Sequence, residues 1–220
     1  MKRRVSVLAV AMAAALSSAC SPAGSQEADE AAMASMAAAA EAPVDPTLEE
    51  VRRATERFRD VNVAVAEGYV RDPSNDCTVA THMGLPAETG AMGVHYVRFD
   101  LLEITAEQPR VDGNGTHTDF LQPAVLLYEP QADGSMELVG VENLVYIAAW
   151  RAAGNAGPPS FQGVEWDLMV DDPATDLDEA HGFAPHYDRH VWLYRENPNG
   201  IFTQFNPAVS CEHHVAEHQH

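Results

Sequence analysis

The strongest constraint on this chain is a change in the rhythm of its apolar residues. Before Gly68, Leu48, Val51, Ala54, Phe58, Val61 and Val65 recur at helical spacing, with Arg52, Arg53, Glu56, Arg57 and Arg59 on the other side. Thr47, with Glu50 three residues on, forms a capping box, and Gly68 is a natural stop. The spacing predicts one amphipathic helix laid on a core. After Gly68 the apolar residues fall into short runs closed by turn signals, at residues 94–104, 124–129, 136–149, 161–170, 190–195 and 201–205. Glu196-Asn197-Pro198-Asn199-Gly200 reads as the turn of a hairpin joining the last two runs. One helix followed by such strands implies an α+β domain: an N-terminal amphipathic helix packed on a mainly antiparallel sheet or a partly open barrel.

The 220 residues are enough for one domain with a substantial core and too few for two comfortable ones. Residues 1–19 read as an export signal: Lys2, Arg3 and Arg4, an apolar stretch from Val5 to Leu16, then Ser17-Ser18-Ala19 before a cut. The next residue, Cys20, makes the segment resemble a bacterial lipoprotein signal, which implies lipidation of Cys20 and attachment to a membrane. The aliphatic residue usual three positions before the cysteine is replaced by Ser17, and Leu16 stands one position earlier. Residues 20–46, rich in Ala, Glu, Ser and Pro, read as a disordered linker with a flexible-coil span of roughly 28 Å. The domain itself is expected over 47–212, followed by a histidine-rich tail over 213–220. Outside the cytoplasm disulfides persist, and setting Cys20 aside leaves one pair among the three cysteines, Cys77 and Cys211. They are expected to be bonded.

Charge narrows the partners. The formal net charge is −20, and loss of three basic residues with the signal takes it to −23. The remaining chain has no lysine. Nucleic acid, which needs a basic footprint, is excluded as a partner, and so is electrostatic adsorption to an anionic membrane. No Gly-x-Ser-x-Gly elbow and no glycine-rich phosphate loop is present, so the sequence names no reaction and no catalytic residue.

Several segments taken together, Met92-Gly93-Val94-His95-Tyr96, Leu126-Leu127-Tyr128-Glu129-Pro130, Leu138-Val139-Gly140-Val141-Glu142, His190-Val191-Trp192-Leu193 and the run from Asn197 to Cys211, resemble a group of secreted bacterial proteins of unknown function. The resemblance spans roughly residues 50–211. It implies the domain limits and no activity.

The chemistry is carried by the 10 histidines. Side chains alternate along a strand, so His95 shares a face with Val97, Phe99 and Leu101, Glu142 with Leu138, Leu144 and Tyr146, and His190 with Trp192 and Tyr194. Each is a polar group on an apolar face and needs a partner. Two imidazoles and a carboxylate from three strands form a ligand set that suits zinc, or iron with open positions. The same three residues also suit a buried hydrogen-bond network in a non-catalytic binding or structural module that holds no metal. A further reading takes His82, Met83 and Met92, near His95, as soft ligands for copper(I) in the periplasm. His186 is a loop candidate. If residues 186–190 are extended it lies about 13 Å from His190 and cannot share its ion.

Overall fold

The computed structural model describes residues 44–74, 76–105, 113–180 and 182–215. The proposed signal, Cys20 and most of the proposed linker lie outside the described residues, as does the end of the histidine-rich tail.

The capping box forms. Thr47 Oγ1 accepts from the Glu50 backbone N–H at 3.2 Å, and the Glu50 carboxylate accepts from the Thr47 N–H at 2.8 Å. The segment expected to be one helix is instead divided: α1 (Leu48–Thr55), a 3-10 turn (Glu56–Arg59) and α2 (Val61–Ala66). The break falls at Asp60, which leaves the helical conformation and caps α2 by accepting from the Asn62 N–H at 3.0 Å. An Asp side chain offers the backbone this alternative bond, and a periodicity reading ignores it. Val51, Phe58 and Ala64 from the three pieces are buried in one core cluster with Tyr96, Leu126, Tyr128 and Val141 of the sheet.

The sheet has 7 strands, all paired antiparallel: β1 (Val70–Arg71), β2 (Cys77–Val79), β3 (Ala91–Val97), β4 (Val125–Pro130), β5 (Met136–Tyr146), β8 (Asp167–Met169) and β9 (His186–Val191). Their spatial order is β1-β3-β4-β5-β9-β8, and β2 continues the β1 edge by pairing with the first half of β3. The sheet is open, so the partly open barrel is not the architecture. Gly93 has φ +94°, and a Cβ there would meet the Tyr128 carbonyl oxygen at 2.5 Å. Only glycine allows β3 to bend that close to β4.

Several runs end sooner than their hydrophobicity suggests. β3 stops at Val97, and Phe99–Leu102 turns into a short helix, α3. Phe99 and Leu101 therefore do not extend the face of His95. β5 gives way at Ile147 to α4 (Ile147–Ala152). Residues 161–170 break up into the hairpin strands β6 (Ser160–Phe161) and β7 (Val164–Glu165), then β8. Gln162 and Gly163, at φ 53° and 75°, supply the two left-handed residues of that tight turn.

The expected hairpin near the C-terminus does not form. The strand begins at His186 and ends at Val191, and residues 192–205 are bends, turns and irregular backbone, with the Asn197 amide bonded to Thr203 Oγ1 at 2.8 Å and to the Phe205 carbonyl at 2.9 Å. Cys77 and Cys211 are bonded, with Cα atoms 5.8 Å apart, which ties the C-terminal segment to β2. The disulfide fits an extracytoplasmic location.

Candidate metal centre

The sheet register brings the three inward residues together. Glu142 on β5 stands directly opposite His190 on β9. On the other side of β5, Val125 of β4 pairs with both Glu142 and Val97, so His95, two residues before Val97, lies diagonally across β4. Two strand spacings make about 10 Å, which the extended His95 and Glu142 side chains span from either side of Val125.

The geometry centres on one oxygen. Glu142 Oε2 lies 3.5 Å from His95 Nε2 and 3.5 Å from His190 Nε2. One potential ligand atom from each residue lies within 4.8 Å of the other two. Ligands held at about 2.0–2.1 Å by a tetrahedral ion are about 3.3 Å apart. An N–H···O bond is usually about 2.7–3.2 Å. The two observed separations are long for hydrogen bonds and close to those around a shared ion. Glu142 and His190 are almost wholly enclosed, with side chains 5% and 1% exposed, whereas His95 is 20% exposed and faces the approach. The triad is thus a buried group that can bind a metal.

The electrostatics favour a cation. Burial, and then the charge of Asp188, push the Glu142 carboxyl well above the usual carboxylate range. Burial likewise pushes Asp188 up to about 8; the charge of Asp167 adds to the shift and Arg189 opposes it. Glu142 Oε2 and Asp188 Oδ1 are buried with no hydrogen-bond donor among the described residues. A divalent ion would reverse this balance by stabilising the ionised carboxylate.

The triad opens onto a cavity of about 180 Å³. His82 and Met92 line it, as does His186. Met92 is buried and packs with Ala80 and Phe205, and Met83 packs on the same small cluster. His186 lies at the far end of β9, opposite Tyr146, so the extended arrangement holds and it does not join His190 on one ion. The Ala184 carbonyl accepts from its Nδ1 at 3.0 Å, and burial pulls its pKa down to about 4.

Sequence reasoning missed Asp188. It sits between His186 and His190 on the same face of β9, is 2% exposed, and places Oδ2 3.8 Å from His190 Nδ1. The signal was the alternation His186, Asp188, His190. It was invisible to a search for apolar runs, because a strand with polar residues on one face and Tyr187, Arg189 and Val191 on the other does not look like a strand. Asp72, Asp76, Asp178 and Phe183, also lining the cavity, lie outside the apolar runs read as strands. Compared with protein-family models, curated proteins and solved structures, the chain has no match.

Proposed function

We propose that this protein is exported to the cell envelope and holds a divalent transition-metal ion between His95, Glu142 and His190. The observation that carries the reading is the single carboxylate oxygen, Glu142 Oε2, equidistant at 3.5 Å from two imidazole nitrogens. Two neutral imidazoles and one carboxylate are a borderline ligand set, suited to zinc or ferrous iron and leaving coordination positions open. Copper(I) is less suited, since Met92 and Met83 belong to an apolar cluster with Ala80 and Phe205. On this reading the signal over residues 1–19 exports the chain, a lipid on Cys20 anchors it, and residues 20–46 tether the domain over 47–212. Membership of the group of secreted bacterial proteins that the sequence resembles belongs to the same proposal.

The test is the metal content of the domain purified without a histidine tag or chelating resin, followed by zinc and cobalt(II) titration. One equivalent of tightly held metal is expected. His95→Ala, Glu142→Gln and His190→Ala should each weaken binding by more than about a hundredfold, since even outer-shell changes cost ~10–100-fold. A protein that binds no metal, or variants that bind as the parent does, would overturn the proposal.

A further inference from the structure

The cavity over the triad contains a polar group that three metal ligands do not account for. Asp188 lines it, is 2% exposed, and turns Oδ2 toward His190 Nδ1 at 3.8 Å. Its other oxygen, Oδ1, is fully buried and accepts no hydrogen bond among the described residues. Buried acceptors are nearly always satisfied, so this orphan on a residue that lines the cavity marks Asp188 as lacking a donor among the described residues.

The remaining walls restrict the ligand. The described lining residues include Asp72, Asp76 and Asp178 as well as Asp188 and Glu142, and no lysine or arginine. Val97, Leu144 and Phe183 add apolar surface to the lining. At about 180 Å³ the space suits one small organic molecule or a few waters, a liquid water taking roughly 30 Å³. An anion entering it would face carboxylates on several sides, with only the ion at the triad and no lysine or arginine among the described lining residues to offset them.

We infer that the cavity binds a small neutral or cationic molecule that carries an N–H or O–H donor, gives that donor to Asp188, and reaches the open position of the ion held by His95, Glu142 and His190. The inference rests on the metal reading, and Asp188 sets the preference against anions. Asp188 is a specificity residue and not a fourth ligand.

Imidazole and azide are suitable probes, since both coordinate cobalt(II) and fit the space but differ in charge and in the N–H donor. The cobalt(II)-loaded protein is titrated with each at pH 8, followed by its visible absorption. Imidazole is expected to bind more tightly than azide. Asp188→Asn, which keeps the shape and removes the charge, should lower the imidazole-to-azide affinity ratio by at least about tenfold. Asp72→Asn, whose amide oxygen can still accept from the Ser74 N–H, should lower the ratio by less and serves if Asp188→Asn does not fold. Cobalt bound by the parent with azide favoured over imidazole, or a ratio unchanged in the folded variants, overturns this inference alone. A parent protein that takes up no cobalt overturns the metal reading and this inference with it.

Discussion

The two faces of the sheet handle buried polarity in opposite ways. On the face covered by α1 and α2, Val94, Tyr96, Leu126, Tyr128, Val141 and Val145 make a continuous apolar layer. Its polar side chains are tied to fixed groups, with one nitrogen each of Asn143 and Arg189 left over among the described residues: Asn143 Oδ1 accepts from the Ala124 N–H at 2.7 Å, and Arg189 donates to the Phe202 carbonyl at 2.9 Å, to the Glu165 carbonyl and to Asp167. Tyr128 donates its hydroxyl to the Phe58 carbonyl at 2.7 Å. On the other face His95, Glu142, Asp188 and His190 converge on one another, and two of their carboxyl oxygens have no donor. The first arrangement lowers the energy of the metal-free fold. The second raises it, which is the signature of a site whose remaining partner is a ligand.

Mutation separates the faces. The largest effect is expected on the apolar side, where Tyr128→Ala removes a fully buried ring stacked edge-on against Tyr96 at 5.0 Å and should destabilise the fold by about 3–5 kcal/mol. Denaturant unfolding measures this. Zinc affinity, scored below the unfolding transition, should remain at the parent value; a large loss would mean that the two faces are not independent.

Next in size is a pH effect at His186. Its folded pKa of about 4 lies below the unfolded value of about 6.5, so the unfolded chain takes up the proton first. The stability from the neutral ring is complete above pH 6.5 and is lost as pH falls toward 4, by about 3 kcal/mol. His186→Gln should flatten that part of the stability profile relative to the parent protein. Parallel profiles for the two would contradict the buried, neutral assignment.

Glu142→Leu should act in the unusual direction. Removing a buried carboxyl without a donor is expected to stabilise the metal-free protein by about 1–3 kcal/mol while abolishing zinc binding. Destabilisation of the metal-free form would instead make Glu142 a structural residue and break the contrast between the faces. The smallest effect is expected at Thr47→Ala, which removes the N-cap of α1 and should cost about 1 kcal/mol in thermal or denaturant unfolding, with metal affinity unchanged.

Some of this was legible along the chain and some was not. The capping box at Thr47 and the pairing of Cys77 with Cys211 follow from local chemistry and from counting, and both are present. The division at Asp60 and the early end of β3 at Val97 were missed because a capping side chain or a change of backbone direction overrides apolar spacing without altering it. Asp188 was missed because β9 is buried on both faces yet carries His186, Asp188 and His190 on one and Arg189 on the other, so its polarity resembled a loop.

By itself the sequence determined the inward orientation of His95, Glu142 and His190, since alternation along a strand is a property of the extended backbone. It could not determine that they meet. That depended on β5 lying between β4 and β9, and on a register that places Glu142 opposite His190 and Val125. A shift of one residue in either pairing would turn a ligand to the opposite face. Register is set by contacts between segments far apart in the chain, and only the tertiary structure holds that information.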